Sequence, residues 1–335
     1  MEPIRTTRAG TTDGDLAQGR GRHAEAPQDI PLKGWFDVLR RFGAGFLDDH
    51  TALVAAGVAY YSLLALFPAI VLFVSLYGLI ADPTQAAEQA IKLATILPEE
   101  ASEFLYREMI RLADAPISNL GVASLASLAI AFWGSNRSVK ALFEALNIAY
   151  QEKERRNLLR INLLAFAFTA AFIFFGFLTV VLVVAVPPLL DALYLPGAVG
   201  TALSLLRWPI LFGGMVLGTS LLYKFGPHRA QARFAWVGWG SVLAGLLWLL
   251  ASALISWYAA SFADFNKTYG SLGAVVVLQI WIWVTALVII TGAKVNAEAE
   301  HQTAVDTTTG PPEPMGRRGA IVADTLGRTW GKKKD

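Results

Sequence analysis

The stretch SNRSVKALFEALNIAYQ, residues 135–151, places Arg137, Lys140 and Glu144 directly behind the apolar run ISNLGVASLASLAIAFWG. On a helix at about 100° per residue, Asn136, Arg137, Lys140, Glu144, Asn147 and Gln151 fall in one arc. Val139, Leu142, Phe143, Leu146 and Tyr150 fall roughly opposite. Two cations, a carboxylate and three amides on one face at the end of a span could capture an anionic head group, since each cation near anionic lipid contributes about 1 kcal/mol. The same pattern suits an interfacial helix facing water, with Lys140 and Glu144 as an exposed pair worth about 0.3–0.5 kcal/mol. Both readings stand at this level.

Other polar groups sit inside or beside apolar runs. Tyr60 lies in the first run, and Tyr269 opens the last one together with Gly270 and Gly273. Gln279 lies within that last run, where an uncharged amide either bonds a neighbouring helix or lines a polar route. Tyr223 begins YKFGPHR, whose Gly-Pro pair predicts a tight turn with Lys224 and Arg229 as anchors or as lipid-phosphate contacts.

Hydrolytic chemistry finds little support. The four histidines, His23, His50, His228 and His301, are scattered, and the chain has no cysteine. No spacing suggests clustered metal ligands or a His acid/base pair. No Gly-rich phosphate loop or aromatic-basic surface for nucleic acid appears. We therefore assign no catalytic residue, no metal and no cofactor, and expect no nucleic-acid partner. Membrane lipids are the expected partners, with a second copy of the chain or an envelope protein as further candidates.

The elements that must position these residues are hydrophobic. Of 335 residues, 55% are apolar and 16% charged, and the excess is gathered in long runs. Soluble domains carry nearer one quarter charged residues. Six runs can cross a hydrocarbon core of about 30 Å: Thr51–Ile80, Ile117–Trp133, Leu163–Leu190, Leu203–Tyr223, Phe234–Tyr258 and Leu272–Val295. The first is long enough that it must tilt or bend, and Pro68 is the expected hinge. With the N-terminus inside, 23 of the 28 Lys and Arg residues fall on the cytoplasmic side, as basic flanks require. The expected fold is an all-α polytopic membrane protein with six transmembrane helices and both termini cytoplasmic. Residues 1–30 and 301–335 are polar and Gly/Pro-containing, which predicts disordered tails around a membrane domain at 31–300.

Two flanking segments are amphipathic. WFDVLRRFGAGF places Trp35, Leu39, Phe42 and Phe46 together with Arg40 and Arg41 turned away, which predicts an interfacial helix. The acid-rich stretch between residues 82 and 116 predicts a small helical cap on the outer face. Small-residue pairs, Gly214 with Gly218, Ser241 with Gly245 and Ala55 with Ala59, predict that spans one, four and five are close neighbours.

Several blocks carry a resemblance. AAGVAYYSLLALFPAI (55–70), SNRSVKALFEALNIAYQ (135–151), LLYKFGPHR (221–229), NKTYGSLGAVVVLQIWIW (266–283) and TGAKVNAE (291–298) occur in the order seen in the YihY/virulence factor BrkB family. The chain resembles that family over roughly residues 35–300. The resemblance implies a six-span protein of the bacterial inner membrane, and it carries the labels ribonuclease BN, serum-resistance factor, and transporter or lipid exporter. It also implies an acidic residue where this chain has Lys294.

Overall fold

The computed structural model describes residues 19–77, 133–134, 136–180, 182, 197–261 and 272–330. All regular structure among them is helical, apart from a single bridge between Ala232 and Thr308. The helices are α1 (Leu32–Asp48), α2 (Thr51–Tyr77), α3 (136–149), α4 (Leu158–Val180), α5 (Gly197–Phe225), α6 (Phe234–Ser261), α7 (Leu272–Glu300) and the single turn α8 (Ile321–Asp324). The expected second span up to Phe132, the outer cap, Tyr269 and Gly270 lie outside the described residues. Gly273 falls in the first turn of α7, and α2 continues through position 68 as one helix.

Four of these helices are long and apolar enough to cross a membrane: Leu158–Gly176, Leu205–Phe225, Phe234–Tyr258 and Val275–Glu300. Only 6% of the α4 window is buried inside the chain, against 33% for α7. So α7 is the axis, and α4 leaves most of its apolar surface to lipid. Helix α7 packs against α6, α2 and α1, and α6 in turn packs against α5.

Helices α6 and α7 approach each other very closely at Gly240 and Gly292. A Cβ at Gly292 would lie 2.5 Å from the Gly240 carbonyl oxygen and 2.5 Å from the Tyr223 hydroxyl. Only glycine permits that crossing. Asn296 locks it, accepting from the Gly240 N–H at 2.7 Å and donating to the Val237 carbonyl at 3.0 Å. Neutral side-chain bonds hold the bundle elsewhere: Ser220 to Ser241 at 2.9 Å, Trp248 to Thr285 at 3.0 Å and Trp281 to Ser252 at 3.2 Å.

The small-residue expectations hold in part. Gly245 opens α6 to Phe212 of α5, and Gly214 faces Phe175 of α4, whereas Gly218 faces open space. Ala55 and Ala59 are fully buried, and the main packing of α2 among the described residues is on α7, with α3 in the same core. Small residues mark where backbones can come close without naming the partner helix.

The polar flanks depart furthest from expectation. Residues 301–330 are not a solvated tail: Gln302, Thr303, Thr307 and Val322 are almost completely buried. Arg318 sits at the centre of this segment, donating to the carbonyls of Ala304, Val305, Glu313 and Ala323. Residues 19–30 pack beside it, with Arg22 donating to the Gln302 and Gly327 carbonyls. Composition gives the disorder expectation, but the Arg22 contacts that join the two segments lie nearly a chain length apart.

Helix α1 also turns its faces the other way. Asp37 and Arg41 point inward, with Asp37 bound by Arg20 at 2.5 Å and Arg41 by Glu298 at 2.6 Å. Leu32, Phe36, Leu39 and Leu47 are exposed, while Trp35, Phe42 and Phe46 are half-buried. Arg41 is therefore not turned to water. Charge buried in the protein with apolar groups outward suits a helix lying at a lipid interface.

Candidate functional site

Helix α3 ends where Gln151 takes a left-handed conformation (φ 59°) and the Glu152 N–H returns to the Asn147 carbonyl at 2.7 Å. Its apolar arc is buried as the sequence suggests. Phe143, Leu146 and Tyr150 are fully enclosed among Ala55 and Val58 of α2, Leu222 and Tyr223 of α5, and Ile290 and Ala293 of α7. That burial fixes which way the polar arc faces.

Around α3 lies a layer of paired charges. The segments flanking α1, α3, the α5–α6 turn and the end of α7 all converge on it. Arg229 in YKFGPHR binds Glu300 through both carboxylate oxygens, at 3.0 and 2.6 Å, and Thr307 donates to the same carboxylate at 2.8 Å. Arg229 also lies 4.9 Å over the Tyr150 ring. Arg156 pairs with Glu154 and caps α5 by donating to the Gly226 carbonyl at 2.7 Å. Lys294 pairs with Asp49, so the cation finds its carboxylate at the α1–α2 junction. Lys224 lies 4.1 Å over the Phe234 ring.

Two of the sequence candidates belong to this scaffold. Asn147 is buried, accepting from the His228 N–H at 2.7 Å and donating to Glu154 at 3.0 Å. Tyr223 is buried and donates to the Ile289 carbonyl at 2.8 Å.

The others are arranged differently. Among the described residues Arg137 and Lys140 have no carboxylate within ion-pair distance. Arg137 lies 5.2 Å over the Trp133 ring, and Lys140 donates to the neutral amide of Asn162 on α4 at 2.9 Å instead of pairing with Glu144. Burial first, and then the neighbouring Arg137, push the Lys140 ammonium below its ordinary value. Asn136 is 5% exposed, and its Nδ2 donates to nothing. Arg137 and Glu144 are exposed. The three donor-bearing groups at 136, 137 and 140 thus form a cationic, hydrogen-bond-donating patch beside a layer in which most cations are neutralised. Such a patch favours an anion.

Further off, Tyr60 is 57% exposed with its ring 5.6 Å from that of Tyr61. Gln279 on α7 has a buried Oε1 that accepts no hydrogen bond. Among the described residues no hydrogen bond or ring contact joins these two to the α3 patch. Among the described residues no three His, Asp or Glu side chains gather as metal ligands.

Sequence reasoning missed Glu154, Arg156, Asn296 and Glu300. The legible signal was in TGAKVNAEAE, where an apolar span ends with two acids and an amide behind a single base, Lys294. Acids at that place need cations from elsewhere in the chain.

The Virulence factor BrkB family matches residues 42–316. A Bacillus subtilis protein named as ribonuclease-like, YfkH, is 28% identical over 252 residues, covering 72% of this chain and 88% of the relative. A UPF0761 membrane protein of Idiomarina loihiensis is 26% identical over 286 residues, covering 82% and 96%. Another UPF0761 membrane protein, from an Azoarcus species, is 25% identical over 269 residues, covering 78% of this chain and 63% of the relative. No solved structure matches the chain.

Proposed function

The chain belongs to the Virulence factor BrkB family, and from that premise we propose that this membrane protein is a transporter or exporter of a lipid or another amphipathic anion. One observation carries the reading: Arg137 and Lys140 present positive charge without a carboxylate, next to the unpartnered Nδ2 of the neutral Asn136 amide and beside Arg229, Arg41, Arg156 and Lys294, which all have one. Cations that the protein neutralises serve the fold. Those it leaves open can neutralise something else.

In this reading Arg137 and Lys140 capture the head group, and Glu144, one turn further on, orients them or is displaced by the substrate. Tyr60, Tyr269 and Gln279 offer uncharged hydrogen bonds along the membrane, avoiding the cost of full charges at depth. Six spans, a cytoplasmic polar layer and an inner-membrane location complete the picture, resting on the basic flanks.

The experiment is a leaflet-specific lipid assay in proteoliposomes. At about 1 kcal/mol per cation, Arg137→Ala should slow movement by about fivefold, and Glu144→Gln should shift its rate too. Native rates in both variants, with normal insertion, would overturn the reading.

A scaffold or envelope-integrity role has a specific observation in its favour: Asn147 and Tyr223 are consumed by structure. A scaffold would tolerate changes at Arg137 and Glu144, and would fail when the ordered 301–330 segment is removed. The ribonuclease-like wording attached to YfkH supports a third reading, which we set aside. RNA cleavage that copurifies with the protein and vanishes in His228→Ala would restore it.

A further inference from the structure

Helix α5 carries one cation inside its apolar run. Arg207 stands at the start of the membrane-length window Leu205–Phe225, of which 11% is buried inside the chain. Its nitrogens Nε and Nη1 are shielded from solvent and bond to nothing. Its guanidinium carbon lies 5.5 Å from the centroid of the adjoining Trp208 ring. No carboxylate among the described residues pairs with it.

A guanidinium does not escape this by losing its proton, because it stays charged at any physiological pH. Two guanidinium donors held away from water with no acceptor call for an anion. Depth identifies the source. Phe225 ends α5 at the polar layer, and Arg207 lies roughly 27 Å along the helix from it at about 1.5 Å per residue. The hydrocarbon core is about 30 Å thick. Arg207 therefore reaches the far head-group boundary, where an interfacial tryptophan such as Trp208 also belongs. Leu205, Leu206, Trp208 and Ile210 around it are exposed, as lipid-facing residues are.

We propose that Arg207 binds the phosphate of a membrane lipid in the leaflet opposite the polar layer. The planar fork matches two phosphate oxygens at once, which a lysine cannot do. This site goes beyond the α3 patch, from which it is separated by the thickness of the membrane.

Native mass spectrometry of detergent-solubilised full-length protein tests it, with phosphatidylglycerol, diacylglycerol of the same chains, and inorganic phosphate as probes. Phosphatidylglycerol retention should fall at least fivefold in Arg207→Gln, diacylglycerol retention should stay equal, and inorganic phosphate should not displace the lipid. Should Arg207→Gln fail to fold, Arg207→Lys carries the test, since losing the fork should weaken phosphatidylglycerol retention severalfold. Equal retention in native and variant, or displacement by free phosphate, overturns the proposal. Neither result bears on the transport rate of Arg137→Ala, so the two readings fail separately.

Discussion

Arg229 and Glu300 form a two-pronged contact between the α5–α6 turn and the end of α7, with side-chain exposures of 1% and 0%. Neither charge reaches water, so each depends on the other. Glu300→Gln should cost about 3–5 kcal/mol, the usual penalty for stranding one partner of a buried pair. The matched double substitution Arg229→Gln with Glu300→Gln should recover part of that loss. Thermal unfolding of purified protein checks both. A Glu300→Gln melting curve equal to native would show that the pair contributes nothing.

Gly292 makes a sharper prediction about packing. Its missing Cβ is what lets α6 and α7 touch at the Gly240 carbonyl, and the Asn296 bonds depend on that approach. Gly292→Ala should lower stability by about 1–3 kcal/mol, as overpacking does. Gly218→Ala, which meets open space, should be neutral or slightly stabilising through better helix propensity. Comparable losses at the two positions would contradict the crossing.

Acid sensitivity has an address at the α3–α4 loop. Burial pushes the Glu154 carboxyl up, but the Arg156 hydrogen bonds outweigh it and hold it down at about 2. A lowered folded-state value means the contact is fully stabilising above the unfolded value of about 4.3. It is lost as pH falls through about 2. Between those limits the melting temperature of Glu154→Gln should fall less steeply with acid than that of the native chain. Parallel curves would remove Glu154 from the account.

Orientation is open to direct measurement. Reporter fusions after Gln151 and at the C-terminus should read cytoplasmic, and fusions near Asp114, Pro196 and Asp264 external. A C-terminus outside the cell would rule out the six-span arrangement.

The bundle was legible because hydrophobic runs are local. Phe234–Tyr258 and Leu272–Val295 fall inside α6 (Phe234–Ser261) and α7 (Leu272–Glu300). Helix α7 outruns its apolar stretch since Asn296, Glu298 and Glu300 all find partners. The buried arc of α3 was legible for the same reason. The charge layer was not, because its partners are remote: Arg41 and Glu298 are 257 positions apart. A one-dimensional pattern shows that Arg137 and Arg229 are both cations near a membrane. Only the fold separates the neutralised one from the open one.

The clasp made by residues 301–330 has a temporal side. Arg22 and Gly327, which it joins, are 305 positions apart, so at about 5–20 residues/s the first waits roughly 15–60 s for the second to be made. Asp37 must wait similarly for the backbone N–H of Trp330. A nascent chain therefore inserts its helices while the charged inner faces of α1 and α7 are still incompletely covered, and the clasp closes only after residues 327 and 330 have been made. Premature termination near residue 300 would leave a membrane-inserted species recognisable by its uncovered polar layer, and so a natural target for quality-control proteolysis.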